Sequence, residues 1–220
     1  MKELEELYGR LKEEFLKFNF EEVKKLAREA LSRGASPNDV IERALRPAME
    51  EAGRRFEKGE FFLAELVVAG DLFKEVMDEV LLPEIKKRGE ASRKLGTVVI
   101  GTVRGDLHDI GKSIVATMLR AAGFEVIDLG VDVPPEKFVE AVKKYNADIV
   151  AMSALLTTTM LEMKNVIEAL KQAGLRDRVK VIVGGAAVTE EFAKEIGADG
   201  YGEDAVKAVK ICKELLGVEE

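Results

Sequence analysis

The chain has 220 residues, of which 47% are hydrophobic, and a formal net charge of −7 at pH 7. This length and apolar share suit one large or two small globular domains with a real core. Lysine and arginine alternate with glutamate along the chain instead of clustering, so we expect no nucleic-acid partner. No run of 18 uncharged apolar residues occurs, and the chain starts with an amphipathic helical pattern, so we expect no membrane partner and a cytoplasmic protein.

The first 90 residues have apolar positions at helical spacing, and nothing there is typical of a strand. A break is predicted near Pro37, with Ser36 as the N-cap of the following helix and Pro37 at its first position. A second break is predicted at Gly59. The next helix is predicted over about 64–82, ending near Pro83. The pattern therefore predicts a small bundle of about four helices.

The segment from Lys86 to Gly96 is polar and basic without periodicity, which predicts a linker. We place the domain boundary there, with a helical domain over 1–90 and an α/β domain over 91–220. Beyond the linker, five short apolar runs alternate with amphipathic helices: TVVIGTV, EVIDLG, DIVAMS, VKVIVGG and DGY. Strands that are apolar at nearly every residue are buried on both faces. The pattern predicts a doubly wound, flavodoxin-like or Rossmann-like fold with a five-stranded parallel sheet.

One cysteine and one histidine limit the metal chemistry of this chain. A lone cysteine excludes an internal disulfide framework and a cysteine-based metal site. Cys212 falls at apolar spacing in a helical pattern, so we expect it to pack in a core. A single histidine, His108, excludes a multi-histidine zinc site.

The loop after the first predicted strand reads GDLHDIGKS, from Gly105 to Ser113, and it contains His108. In folds of this type ligands bind beyond the carboxyl ends of the strands. The Gly-Lys-Ser ending resembles a phosphate-binding P-loop, which requires a glycine five residues before the second one. That position is Asp106, whose carboxylate would repel a phosphate. The spacing therefore disfavours a nucleotide site.

His108 has two interpretations. It can be a stray polar residue in a loop that caps a helix, or it can be a metal ligand. Histidines that bind metals commonly donate their second ring N–H to a carboxylate, and Asp106 lies two residues before it. Gly111, three residues after it, would let the backbone come close to a ligand. These features favour the metal ligand without excluding the simpler interpretation.

Three short motifs, each on a separate loop at the ligand end of the predicted sheet, resemble the signature of cobalamin-binding domains. They are Asp106-x-His108-x-x-Gly111, then after 41 residues Ser153-x-Leu155, and after 28 more Gly184-Gly185. By this resemblance the chain is identified as a member of the methyltransferase corrinoid proteins. These are related to the cobalamin module of methionine synthase and to the corrinoid proteins of methylamine and methanol methyltransferase systems. The similarity covers nearly the whole chain.

The resemblance implies that the cofactor is cobalamin or another corrinoid, which carries the methyl group as methylcobalamin. It implies that His108 is the lower axial cobalt ligand in place of the cofactor's own dimethylbenzimidazole. Asp106 would accept the second ring N–H, and Thr159 would be the next member of this relay. The other implied contacts with the corrinoid and its displaced tail are Gly105, Gly111, Ser153, Leu155, Thr157, Gly184, Gly185 and Ala205. Taken singly, these loop residues are equally compatible with an ordinary helix cap or turn.

In the helical half, FEKGEFFLAELV resembles the cap that covers the upper face of the corrin, with Phe62 and Leu63 over the cobalt-bound methyl group. The alternative is that both side chains are simply core residues. Ala64 follows this pair where the family often has proline.

The resemblance implies a methyl carrier that serves a substrate-specific methyltransferase and an acceptor methyltransferase acting on a thiol, with a reductive activation protein as a further partner. The chain would then be a carrier component and not a complete enzyme alone, and the linker over 86–96 would be its hinge. Two alternatives remain: a cobalamin-binding subunit of an adenosylcobalamin mutase, and a corrinoid-responsive regulatory module. The helical half argues against the first. The absence of tryptophan argues against the second, whose cap is rich in tryptophan.

Overall fold

The computed structural model of the chain describes residues 2–89 and 94–218. The chain divides into two compact units, Met1–Arg93 and Lys94–Glu220. The domain boundary predicted between residues 90 and 91 falls outside the described residues. Across the described ranges, no helix is long and apolar enough to cross a membrane.

The first unit is helical, as predicted. Its α-helices are α1 Lys2–Leu16, α2 Phe20–Ser32, α3 Pro37–Val40, α4 Arg46–Glu57, α5 Leu63–Val76 and α6 Leu82–Arg88. Short π-helical segments, Ile41–Leu45 and Met77–Leu81, join α3 to α4 and α5 to α6. The described residues of this unit thus form four continuous helical stretches, which confirms the predicted bundle. Its fully buried side chains include Leu11, Phe15, Leu26, Leu45, Leu66 and Leu72.

The predicted start of the third helical stretch is confirmed, because Pro37 is its first residue and the Ser36 hydroxyl accepts a hydrogen bond from the Asp39 N–H at 3.0 Å. The predicted end near Pro83 is wrong, since α6 continues to Arg88. Proline breaks an α-helix because it lacks an N–H and its ring meets the carbonyl four residues earlier. The π-helical turn before Pro83 shifts the bonding, with the Leu82 N–H donating to the carbonyl of Met77.

The same arrangement precedes Pro47, where the Arg46 N–H donates to the carbonyl of Ile41 at the end of the other π-helical segment.

The C-terminus of α6 bears on the predicted linker over 86–96. Residues 86–88 belong to α6, which ends at Gly89 in a left-handed conformation (φ 64°), so the linker prediction is wrong for them. Residues 90–93 of this segment lie outside the described ranges.

The second unit is the predicted parallel sheet covered by helices. Its strands are β1 Thr97–Thr102, β2 Glu125–Asp128, β3 Ile149–Ser153, β4 Lys180–Gly184 and β5 Gly200–Gly202. Its helices are α7 Ile110–Ala122, α8 Pro135–Tyr145, α9 Glu162–Gln172, α10 Glu190–Ile196 and α11 Ala205–Leu216. The sheet order is β2-β1-β3-β4-β5 and every pairing is parallel. This confirms the flavodoxin-like, doubly wound fold, and its strand order reverses between β1 and β3.

Each face of the sheet has its own apolar core. One core contains Val99, Val150 and Phe138 together with α9 and α10 side chains. The other contains Val98, Ile149 and Cys212 together with α7 and α11 side chains. Cys212 is completely buried, which confirms that it packs in a core. Burial in this apolar surrounding raises the pKa of its thiol to about 12.

Cys212 should therefore resist alkylation in the folded protein. At neutral pH its thiolate fraction is very small and the sulfur is inaccessible, so we expect modification by a thiol reagent only after the second unit unfolds. The measurement is the rate of labelling with an aromatic disulfide reagent, with and without denaturant. Rapid labelling of the native chain would contradict this placement of Cys212.

Candidate functional site

The candidate site is built around a buried carboxylate at the carboxyl end of β1. Asp106 is fully buried and its side chain accepts four hydrogen bonds. Its Oδ1 accepts from the backbone N–H of His108 at 3.0 Å and lies 2.6 Å from Nδ1 of the same residue. Its Oδ2 accepts from the Leu155 N–H at 2.8 Å and from the Thr159 hydroxyl at 2.6 Å. Asp106 thus joins the loop after β1 to the loop after β3.

These hydrogen bonds set the charge of Asp106 and the tautomer of His108. Burial acts to raise the pKa of the Asp106 carboxyl, but the donors from Thr159, Leu155 and His108 outweigh it and hold the pKa far below its usual range. Asp106 is therefore an anion at neutral pH and can only accept. The neutral imidazole must then carry its proton on Nδ1, which leaves the lone pair of Nε2 available to a ligand.

His108 is held from its backbone as well as from its ring. The hydroxyl of Thr102, a fully buried residue at the end of β1, donates to the His108 carbonyl at 2.9 Å. The imidazole side chain is 52% exposed. Among the described residues, its Nε2 has no hydrogen-bond partner. The site therefore presents a fixed, outward-accessible nitrogen donor.

The loop after β2 contributes a residue, Asp132, that was not predicted from the sequence. The Asp132 carboxylate accepts from the Gly105 N–H at 2.7 Å, and the Asp132 N–H donates to the Asp106 carbonyl at 2.9 Å. Asp132 has a φ of 52°, which a residue with a side chain seldom adopts and aspartate tolerates better than most. Its position in the GVDVPP loop at the ligand end of the sheet was the only signal for it.

Exposed apolar side chains lie on the two loops that Asp106 joins and at the first residue of α7. They are Leu107 and Ile110 beside His108, and Leu155, Leu156 and Leu161 after β3. Only Leu155 was predicted from the sequence. A group of exposed large apolar side chains at one edge of a fold is typical of a binding surface.

A second group of predicted residues lies where β3 and β4 end. Ser153 pairs in register with Gly184, and the Ala154 N–H donates to the Gly184 carbonyl at 3.2 Å. A Cβ on Gly184 would lie 2.6 Å from the Gly202 oxygen, and one on Gly185 would lie 2.1 Å from the Ala154 oxygen. A side chain at either position would collide with the neighbouring backbone, so glycine is needed for these backbone segments to lie so close together. Gly185 also has a φ of 113°, which favours glycine. That they leave room for a cofactor tail stays a prediction.

The remaining predicted residues are dispersed. Thr157 is exposed, and Ala205 is the buried first residue of α11. A Cβ on Gly111 would meet nothing within 4 Å. In the helical unit, Phe62 is 71% exposed and Leu63 is 52% exposed, so the alternative that they are core residues is wrong. Phe62 is the N-cap residue of α5, and its N–H donates to the Glu65 carboxylate at 2.8 Å.

Comparison with known proteins identifies the class of this fold and site. A family profile described as "B12 binding domain" matches residues 96–210, and a second profile with the same description matches residues 7–81. The chain is 47% identical to the trimethylamine corrinoid protein of Methanosarcina barkeri over 97% of this chain and 98% of that protein. It is 50% identical to the dimethylamine corrinoid protein of the same organism, over 82% and 84% of the two chains.

Among solved structures, a chain of the methanol:cobalamin methyltransferase complex MtaBC from Methanosarcina barkeri is similar with a TM-score of 0.85 and 32% identity. This match covers 97% of the present chain and 81% of the other. The chain therefore belongs to the family of methyltransferase corrinoid proteins, and its cofactor is a corrinoid. The half-exposed imidazole of His108 and the apolar side chains on the same loops suit the binding of a flat macrocycle that carries a metal ion.

Loss of the Thr159 hydroxyl should destabilise the second unit. Thr159→Val keeps the shape of the side chain but removes one donor from the buried Asp106 carboxylate. Because hydrogen bonds to charged groups are the stronger ones, we expect the free energy of unfolding to fall by about 2 kcal/mol. Urea titration read by Cys212 labelling follows this unit specifically. Thr157→Val, at an exposed position two residues away, is the control and should be nearly neutral; equal effects of both changes would refute the assignment.

Proposed function

We propose that this protein is a corrinoid-dependent methyl carrier in which His108 is the lower axial ligand of cobalt. The observation that carries this proposal is the His108–Asp106 pair, which is fixed by four hydrogen bonds and leaves Nε2 accessible. A bound corrinoid supplies a cobalt centre that accepts a methyl group and gives it to another molecule. The protein supplies the ligand, its orientation and the access to the cofactor.

In this proposal the residues around His108 hold its donor atom in place. The Asp106 carboxylate keeps the proton on Nδ1 and thereby leaves the lone pair of Nε2 available. Thr159 and the Leu155 N–H keep Asp106 ionised, and Thr102 fixes the backbone carbonyl of His108. The relay formed by Asp106, His108 and Thr159 thus acts mainly by holding a proton on Nδ1. With four donors around it, Asp106 itself is a poor acceptor of that proton.

The remaining predicted contacts belong to this proposal. Ser153, Thr157, Gly184, Gly185 and Ala205 would contact the displaced tail of the cofactor, and Gly105 and Gly111 would face the macrocycle. Exposure of Phe62 and Leu63 supports their use as the apolar cover of the upper face.

We further propose that the partners are methyltransferases. The names of the relatives above support a methylamine as the donor, because identity to the trimethylamine and dimethylamine corrinoid proteins is 47–50%, against 32% for the methanol system. A substrate-specific methyltransferase would load the carrier and an acceptor methyltransferase would pass the group to a thiol. A reductive activation protein would restore cofactor that has become oxidised.

Electron paramagnetic resonance tests the cobalt ligand directly. Because the chain contains one histidine, labelling with ¹⁵N-histidine marks His108 alone. In the Co(II) form of the reconstituted protein, we expect the superhyperfine triplet from a ¹⁴N ligand to become a doublet in the labelled protein. His108→Ala should lose this response and bind hydroxocobalamin about 10–100-fold more weakly.

The same spectra can overturn the proposal. A triplet that persists after ¹⁵N-histidine labelling would mean that the cofactor's own base remains the axial ligand. Absence of corrinoid binding by the wild-type chain would contradict it as well.

Gly111→Ala separates a binding role from a structural one. Gly111 lies in α7, where alanine is the better helix former by up to about 1 kcal/mol, and the added methyl group would meet no neighbour. We therefore expect the cofactor-free protein to be as stable as wild type or more so. If the macrocycle packs against this helix turn, titration with hydroxocobalamin should nevertheless show weaker binding.

Gly9→Ala is the matched control, since Gly9 is a helical glycine of α1 with equally open space. It should stabilise its helix without changing the affinity for hydroxocobalamin. Unchanged affinity in Gly111→Ala would exclude close approach of the cofactor at that position.

A further inference from the structure

The Lys-Ser ending of GDLHDIGKS has no part in the site described so far. Lys112 lies in the first turn of α7, and only 2% of its side chain is exposed. Lysine is almost never this buried unless its charge is paired. In a P-loop this lysine would bind a phosphate. The ammonium group of Lys112 is bound by protein carboxylates instead, so the P-loop interpretation does not explain it.

Lys112 binds two aspartates on different elements. Its Nζ lies 2.6 Å from each carboxylate oxygen of Asp128, the last residue of β2. It also lies 2.8 Å from Oδ1 of Asp109, the residue next to His108. Asp128 is fixed in turn, because its Oδ1 accepts from the Gly130 N–H at 2.9 Å. A continuous chain of contacts therefore leads from the end of β2 to the neighbour of His108.

Ser113 completes this arrangement. Its hydroxyl donates to Oδ2 of Asp109 at 3.1 Å, so Lys112 and Ser113 bind the two oxygens of one carboxylate. Asp109 stands at the N-cap position of α7, where an aspartate usually accepts from the helix backbone. Here its side chain makes no such bond. The carboxylate is instead turned onto the two side chains that follow it.

Two anchors thus restrain the segment that carries His108. Asp106 holds the ring and the backbone N–H from one side, and the Lys112–Asp109 pair holds the next residue from the other. The second anchor is buried at its Lys112 end, while the Asp109 side chain is 56% exposed, so Lys112 is the fixed partner of this contact. Removing Lys112 would leave the Asp109 carboxylate held only by the Ser113 hydroxyl, so that it could turn toward the helix N-terminus and change the backbone directly after His108.

We propose that Lys112, assisted by Ser113, is a positioning residue that fixes Asp109 against β2 and thereby sets the orientation of the His108 imidazole. This inference rests on the proposed function, in which Nε2 of that ring binds cobalt. It assigns the Gly-Lys-Ser sequence to ligand orientation and not to phosphate binding.

The test uses Lys112→Met, which removes the charge and keeps an unbranched side chain. In the cofactor-free chain, the nitrogen resonances of the single histidine report its tautomer without overlap. Wild type should give the shifts of an Nδ1-protonated ring, with a slowly exchanging Nδ1 proton. In Lys112→Met we expect these shifts to move toward the averaged values of free histidine, and the dissociation constant for hydroxocobalamin to rise about ten-fold.

Lys24→Met is the matched control for the loss of a buried, paired lysine. Lys24 binds Glu21, Glu75 and Glu79 in the helical unit, and its side chain is similarly inaccessible. This change should cost stability but leave the histidine resonances as in wild type. An equal change in both variants would mean that general destabilisation moves the ring, and it would overturn the inference.

A second variant keeps the proposal testable if Lys112→Met fails to fold. Asp109→Ala removes the exposed end of the same contact and should shift the histidine resonances in the same direction. Folded Lys112→Met or Asp109→Ala protein with wild-type resonances and wild-type affinity for hydroxocobalamin would refute the positioning role. That outcome leaves the doublet of the ¹⁵N-histidine-labelled wild-type protein unchanged, whereas failure of the proposed function would leave a triplet, or no bound corrinoid, in the wild-type protein itself.

Discussion

The buried carboxylate of Asp106 is the constraint on which the rest of the site depends. A charge removed from water is tolerated only when donors replace its solvation, and Asp106 has four of them. Those donors come from two loops that are about 50 residues apart in the chain. Any movement of one loop away from the other would leave part of a buried charge unsolvated. The carboxylate therefore fixes the imidazole and the strand ends together.

Parallel sheet topology explains why such distant residues meet. β1 and β3 are neighbours in the sheet although β2 lies between them in sequence, so the loops after both strands emerge side by side. The loop after β2 lies on the other flank of β1 and brings Asp132 to the backbone of Gly105 and Asp106. The reversal of strand order between β1 and β3 leaves the carboxyl ends of these strands open to a ligand. The exposed leucines on these loops contrast with the closed apolar cores on both faces of the sheet.

Sequence patterns correctly predicted the elements that depend only on residues close together in the chain. The five apolar runs are strands because a strand buried on both faces must be apolar throughout, and Ser36 caps a helix because its hydroxyl and Pro37 suit a helix start. Pro83 misled the prediction because a π-helical turn beforehand relieves the constraint that proline imposes, and apolar spacing does not reveal such a turn. For the same reason the linker prediction was wrong for residues 86–88, since α6 extends beyond that proline.

By itself, the sequence determined which chemical groups are available: one imidazole, an aspartate two residues before it, and glycines and hydroxyls at spacings that resemble those of cobalamin-binding domains. Only the tertiary structure decided which of them meet. It placed Thr159 and the Leu155 N–H on Asp106, brought in Asp132 from another loop, and turned Lys112 toward Asp128 and Asp109. The physical reason is that hydrogen bonds and ion pairs depend on separation in space, which strand order sets and local spacing does not encode.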